Sequence, residues 1–261
     1  MDVVLSTSGA HLDRANEDFV GAVPGAIVLV DGAGIRNADH LCRHGVAWYA
    51  HGLGGLLLGR LSRDTTTDLG TVLAEAIDEV TSWHQDTCDV TDPSSPSATV
   101  ATARVADGRL DHLVLGDSVV VVDHVDGTVV IDDRREPDLA SPFRAELAAL
   151  EAGTPEHDAA RGKAVAAFRA ARNQAGGFWV AKDDGRVAVE ARTGTHPLEQ
   201  VSAVVVLSNG ASRVVDRFGL LDWDQLSGCD PDDILRMVRE AERAGGIQPD
   251  DATLATARFS A

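Results

Sequence analysis

The chain has 261 residues, 23 basic and 41 acidic, for a formal charge of −18. That balance argues against nucleic acid or an anionic membrane surface as a default partner. No apolar run nears the ~18 residues of a membrane span. With 44% hydrophobic residues but only 6 Phe, 4 Trp and 1 Tyr, the chain is globular, with a core built mainly from Ala, Val and Leu. Cys42, Cys88 and Cys229 are odd in number and widely spaced, which is no disulfide framework. Together with a start lacking a basic leader segment, this sets the expectation of a cytoplasmic protein.

Residues 2–6 read as a strand. Phe19 to Val23 and Ala26 to Val30 read as a hairpin around Pro24-Gly25. Asp31-Gly32-Ala33-Gly34 follows, so an acid closes a strand. Helical periodicity is expected from His40 to about Arg60 and again over 68–86. A loop over 91–97 leads to strands at Ala98 to Val105 and Leu110 to Leu115. Val119 to Val122 and Thr128 to Ile131 form a hairpin around Asp126-Gly127. Residues 140–175 are Ala-rich and helical, broken near Gly153-Thr154-Pro155. Gly177 to Ala181 reads as a short strand, and 184–200 fits no single pattern. Val201 to Leu207 is a buried strand, 231–244 a helix opened by Pro231, and Thr253 to Phe259 a final strand. Hairpin-linked strands with helices in separate blocks predict an α+β fold with antiparallel sheets. The chain is expected to be one domain over 1–261, with 140–200 inserted between strands.

Polar groups recur where these strands begin or stop. Glu17-Asp18, Asp31, Asp117, Asn209 and Asp250-Asp251 all stand at such ends. Carboxylates brought to one edge of a sheet pair repel and raise one another's pKa. A hard divalent cation with oxygen ligands resolves the conflict. Acids also favour turns for local hydrogen-bonding reasons, so placement alone leaves both readings open.

The pieces Arg14-Ala15-Asn16-Glu17-Asp18, Asp31-Gly32-Ala33-Gly34, Ser97-Ala98-Thr99-Val100-Ala101, Gly116-Asp117-Ser118, Ser208-Asn209-Gly210 and Asp250-Asp251-Ala252-Thr253 stand in that order. Together they resemble the metal-dependent serine/threonine protein phosphatases of type 2C, and most of all a bacterial, actinobacterial-type branch. The resemblance implies a four-layer α-β-β-α sandwich of two antiparallel sheets with outer helices. It implies two Mn²⁺ or Mg²⁺ ions at one end of the sandwich. Asp31 would bridge both, Glu17 and the Gly32 carbonyl would hold one, and Asn209 with Asp250 the other. Asp18 and Asp251 would orient ligands and waters, and Asp117 matches a position tied to a third ion. Arg14 would grip the substrate phosphate through its guanidinium fork. The activity implied is hydrolysis of phosphoserine or phosphothreonine in a phosphoprotein by a metal-activated water.

Three departures from the family pattern bear on this. Asn209 stands where the family usually has Asp, which should weaken the ion shared with Asp250. Arg213 replaces an acid many members use for the third ion. Ala33 stands where some members carry a histidine acid, leaving His11 or His44 as substitutes. The expectation is therefore a weakened or conditional phosphatase. The alternatives are an impaired pseudophosphatase that binds phosphoproteins, or a hydrolase of small phosphate esters.

Other motifs receive plainer readings. Gly116-Asp117-Ser118 resembles a serine-esterase block, but no late Asp-x-x-His follows it. His40-x-Cys42-x-His44 has the look of a metal clip; with no second Cys or His cluster evident in the sequence, it reads as a helix face. Cys88 and Cys229 lack a neighbouring base and read as inert packing. Trp48-Tyr49 and Phe178-Trp179 read as core or insertion packing, with the alternative that Phe178-Trp179 borders the substrate cleft, since the insertion resembles the family's variable flap. The acidic surface predicts substrates with basic flanks.

Overall fold

The computed structural model describes residues 1–34 and 40–259. Among the described residues, ten strands form two antiparallel sheets. The first holds β1 (Asp2–Ser8), β10 (Ala252–Arg258), β9 (Val201–Leu207), β6 (Val119–His124) and β7 (Gly127–Ile131), in that spatial order. The second holds β2 (Asp18–Val23), β3 (Ala26–Ala33), β4 (Ser97–Ala106), β5 (Arg109–Leu115) and β8 (Arg192–Pro197). This is the expected α+β sandwich.

Strand alternation sorts the side chains into layers. Ile27 and Leu29 of β3 face inward with Ala101, Ala103, Val204, Val206, Ala255 and Ala257 to make the layer between the sheets. Val28 and Val30 face outward, against Leu53, Leu57, Leu73 and Ile77 of helices α1 (Gly45–Leu61) and α2 (Leu69–Ser82). On the far side Val205, Leu207 and Leu254 pack against α5 (Asn209–Asp216) and α6 (Pro231–Gly245) through Val214, Ile234 and Val238. Small β-branched and Ala side chains fill these layers, as the scarcity of aromatics requires.

Several elements differ from the sequence expectation. Helix α1 starts at Gly45, not His40, because Gly45 adopts φ +80° and closes the helix upstream. Residues 35–39, just before that expected helix, lie outside the described residues. Helix α3 (Arg135–Ala148) starts before 140 and is followed by α4 (Pro155–Ala171), with Thr154 accepting from the His157 N–H as its cap. The expected strand over 177–181 is only a pair of isolated bridges, at Phe178 and Ala181. There the Asn173 side-chain amide takes the place of a strand partner, bonding both the N–H and the C=O of Val180. The ambiguous stretch 184–200 contains a 3₁₀ turn, Gly185–Glu190, and then β8, which pairs with β5. The eight-residue α5 and a 3₁₀ turn at Trp223–Gly228 are too short to show periodicity.

Candidate metal and phosphate site

The inter-sheet layer changes character at one end. Antiparallel register sets Asp18 opposite Asp31 on β2 and β3, and Asp31 opposite Thr99 on β3 and β4. These positions share the face of Ile27 and Leu29, so the hydrocarbon layer runs directly into carboxylates. Across the gap Ser118, Ser208 and Thr253 continue the inward-facing positions of the first sheet. Thr99 and Ser118 hydroxyls meet at 2.6 Å, closing the layer. Beyond them opens a cleft of about 390 Å³, lined among others by Arg14, Glu17, Asp31, Gly32, Asp117 and Asn209, with Asp250 and Asp251 on its far side. Of the sequence-predicted site residues, only Asp18 lies behind this lining; it is buried beneath Asp31.

The electrostatics are those of acids held together at a cost. Burial, and then repulsion from Asp18, Asp117 and Asp250, hold the Asp31 carboxyl well above its ordinary range. Burial likewise raises Asp117. Asp18 is pushed up to about 7, by burial first and by Asp251 and Asp250 after it, with the Thr253 and Ser208 hydroxyls only partly offsetting this. The Thr253 and Ser208 hydroxyls lie near the Asp18 carboxyl, but neither of its oxygens makes a well-aligned hydrogen bond. Among the described residues no Lys or Arg forms an ion pair with Asp18, Asp31 or Asp117, although Arg213 reaches Asp250. Two buried carboxyls beside a half-buried third, without a paired side-chain cation, are a donor set that suits a divalent cation.

Asp251 does a different job. Its Oδ1 accepts from the Ala10 N–H and its Oδ2 from the Glu17 N–H, each at 2.6 Å. Each carboxylate oxygen thus accepts one backbone N–H, so Asp251 ties down the segment carrying Arg14 and Glu17. Gly32 donates its N–H to the Glu17 carbonyl at 3.1 Å. A Cβ on Gly32 would lie 2.5 Å from that carbonyl oxygen and 2.7 Å from Val46 Cγ1, so only glycine fits.

The half of the site around Asn209 is differently arranged. The Asn209 side chain donates through Nδ2 to Asp117 at 3.0 Å, and its backbone N–H donates to Asp31 at 3.1 Å. Asp250 Oδ2 is 2.6 Å from the Arg213 guanidinium, whose other terminal nitrogen is 2.7 Å from Glu242. An amide and a guanidinium therefore already neutralise or engage the residues implied for the second ion.

Of the cleft's other wall, sequence reasoning offered only Phe178, as an alternative reading. Glu136, Phe168, Arg172 and Phe178 line it from α3, α4 and the turn after α4. Burial, then repulsion from Asp117, pushes Glu136 up to about 7. Arg172 donates to the Pro93 carbonyl at 3.0 Å and lies over the Phe178 ring at 5.9 Å. The signal for Glu136 was present, since Asp133-Arg134-Arg135-Glu136 is one more charged run following a strand. Phe178, expected as packing, both packs on Phe168 and borders the cleft. Of the two imidazoles considered as proton donors, His11 lines the cleft and His44 does not. His44 instead sits beside Cys42, His84 and Cys88.

Comparison with known proteins bears on the family and the fold. Residues 11–244 match the family model described as protein phosphatase 2C. No curated protein matches the chain by sequence. A bacterial serine phosphatase structure is 14% identical, with a TM-score of 0.65, over 100% of this chain and 98% of its own. The serine/threonine phosphatase Stp1 from Staphylococcus aureus is 16% identical, with a TM-score of 0.62, covering 100% and 95%. The catalytic domain of the serine/threonine phosphatase PstP, solved in complex with 2 manganese ions, is 17% identical, with a TM-score of 0.62, covering 98% and 97%. At such identities these structures establish likeness of fold.

Proposed function

The chain belongs to the protein phosphatase 2C family, and we propose that it hydrolyses phosphoserine or phosphothreonine in proteins at the acidic cleft between its sheets. The observation that carries this reading is the convergence of buried Asp18 and Asp31 with half-buried Asp117, none of them ion-paired to a Lys or Arg of the described residues, with Arg144 acting on Asp117 only through space. Mn²⁺ or Mg²⁺ would be held by Glu17, Asp31 and the Gly32 carbonyl, with Asn209 and Asp250 serving a second position. When bound, such ions supply Lewis acidity toward the phosphoryl oxygens and lower the pKa of water near neutrality.

The chain's own residues set the geometry. Asp251 ties down the backbone at Ala10 and Glu17. Arg14, exposed at the rim of the cleft, offers a phosphate two parallel N–H donors. Glu136 holds a proton near neutral pH close to Asp117. Phe168 and Phe178 give one wall an apolar surface. The −18 charge favours phosphopeptides with basic flanks over acidic ones. Among the described residues no helix is long and apolar enough to cross a membrane, and three free cysteines accord with a reducing, cytoplasmic setting.

The ion pair between Arg213 and Asp250 favours a second reading, a phosphoprotein-binding module of impaired catalysis. A Mn²⁺ titration of aryl phosphate hydrolysis separates the two. The hydrolase reading expects turnover that rises with Mn²⁺ and is lost in Asp31→Ala. No turnover at any Mn²⁺ concentration, with phosphopeptide binding retained, establishes the binding module instead.

A further inference from the structure

Away from the cleft, four side chains from two distant segments converge. Cys42 and His44 precede α1, while His84 and Cys88 lie in the turns after α2. One potential ligand atom from each lies within 4.8 Å of all the others. Cys42 Sγ is 3.8 Å from His44 Nδ1 and 3.6 Å from His84 Nδ1, and Cys88 Sγ is 3.4 Å from His44 Nδ1. A tetrahedral zinc with Zn–S of about 2.3 Å and Zn–N of about 2.0–2.1 Å places sulfur and nitrogen ligands roughly 3.5 Å apart. The observed separations fall around that edge length.

We propose that Cys42, His44, His84 and Cys88 form a structural Cys₂His₂ zinc site. Two thiolates and two imidazoles are the ligand set that selects zinc over the oxygen-loving Mn²⁺ and Mg²⁺. The surroundings are built for it. Cys42 and His84 are buried, and His44 and Cys88 are half-buried. The Trp48 ring stacks on His44 at a centroid distance of 4.4 Å, and His84 meets the same ring edge-on at 5.1 Å. Both imidazoles are thereby held in orientation. Burial raises the Cys42 thiol, and the backbone amides of His44 and Gly45 only partly offset that. The Asp89 N–H donates to the Leu41 carbonyl at 2.8 Å, locking the two segments together beside the cluster.

Binding balances simply. Zn²⁺ replaces the two thiol protons, which pass to solvent, and takes both imidazoles as neutral donors. Its consequence reaches the cleft. Val46, two residues beyond His44, packs against Gly32 and Gly34, where added Cβ atoms would lie 2.7 and 2.2 Å from its methyls. The zinc would therefore anchor the start of α1 and, through Val46, the Asp31-Gly32 turn.

The test uses the full chain without a histidine tag, purified under reducing conditions without chelator. Elemental analysis should find about one zinc per chain in the wild type and in Asp31→Asn, and less than about a fifth of that in Cys88→Ser. Because Cys88 is half-buried, that variant should keep its far-ultraviolet circular dichroism. Cobalt(II) exchanged into the wild type should show sulfur-to-cobalt charge transfer and tetrahedral visible bands, both altered in Cys88→Ser. Zinc added to stripped wild type should release protons and raise Tm by roughly 5 °C or more. Equal zinc content in wild type and Cys88→Ser, or cobalt spectra without sulfur ligation, would overturn the proposal.

Discussion

The Arg213 guanidinium lies 2.6 Å from Asp250 Oδ2 and holds Glu242 with its other terminal nitrogen at 2.7 Å. A fixed side-chain cation thus stands against a carboxylate implied for the second metal position. Asp250 is half-exposed, so the pair itself adds about 0–1 kcal/mol to stability. Its larger effect is to compete with any ion for Asp250.

Arg213→Gln removes that competition. The half-saturating Mn²⁺ concentration should fall about three- to tenfold, equivalent to roughly 0.7–1.4 kcal/mol. Glu242 keeps its partner Arg239 at 2.7 Å, so the fold should survive. Isothermal titration with Mn²⁺ measures the effect, and an unchanged or weaker affinity contradicts the competition.

Asn209→Asp acts on the same position by adding charge. The side chain that now donates to Asp117 becomes a further carboxylate facing Asp117 and Asp31. Without metal, Tm should fall, because a buried hydrogen bond turns into repulsion, a change of about 1–3 kcal/mol. With saturating Mn²⁺, Tm should recover to the wild-type value or above, and turnover on an aryl phosphate should rise. Thermal melts in EDTA and in Mn²⁺ give the two signs independently.

The acids also make a pH prediction. Asp18 is pushed up to about 7 in the folded chain, against an unfolded value of about 3.9. Between those values the folded state binds more protons than the unfolded one. Its contribution to stability is therefore complete at about pH 4 and is lost as pH rises through about 7. Asp18→Asn cannot titrate. In EDTA it should gain on the wild type by roughly 2–4 kcal/mol between pH 4 and pH 8. Mn²⁺ should shrink that gain. Denaturant melts across the pH range read it, and parallel curves for the two proteins would rule out Asp18 as the strained acid.

Much of this site was legible because strand ends carry it. Alternation fixes which residues of β3 face inward, and an Asp ending such a strand must meet whatever ends the neighbouring strands. Asp18, Asp31 and Asp250 follow from that rule together with the ordered motifs. What the sequence did not show depends on contacts between distant segments. The Arg213 pairing with Asp250 spans a helix and a loop. Glu136 reaches the cleft from a helix whose weak periodicity hid its orientation, and Arg172 from the turn after α4. His40 to His44 looked helical because its residues tolerate a helix, yet the left-handed Gly45 ends α1 just after them. That error concealed the partnership of Cys42 with His84 and Cys88, forty and more residues away.

Asp251 provides a test of positioning apart from ligation. Asp251→Ala leaves the Ala10 and Glu17 N–H groups without charged acceptors, costing about 1.5–3 kcal/mol if neither finds water. Mn²⁺ affinity should weaken at least tenfold although no implied ligand is deleted. Asp251→Asn, which keeps one acceptor oxygen, should fall between alanine and wild type. Mn²⁺ titrations of the three proteins decide it, and an alanine variant with wild-type affinity would mean the Glu17 segment holds itself.

Gly210 joins the two halves of the metal position by close approach. A Cβ there would lie 1.9 Å from the Asp251 carbonyl oxygen and 2.9 Å from its carbon. Backbone cannot rotate aside as a side chain does. Gly210→Ala must push the start of α5, with Asn209, away from Asp250 and Asp251, at a cost of about 1–3 kcal/mol or more. For a chain of this size that is a fall in Tm of roughly 2–10 °C. Gly162→Ala is the matched control, since its Cβ in α4 meets nothing within 4 Å. There the helix should gain about 0.5–1 kcal/mol. Opposite shifts in Tm, with Mn²⁺ affinity lost only in Gly210→Ala, would tie the α5 start to the metal position. A Gly210→Ala variant with unchanged Mn²⁺ affinity would show that Asn209 and Asp250 need not be held at this spacing.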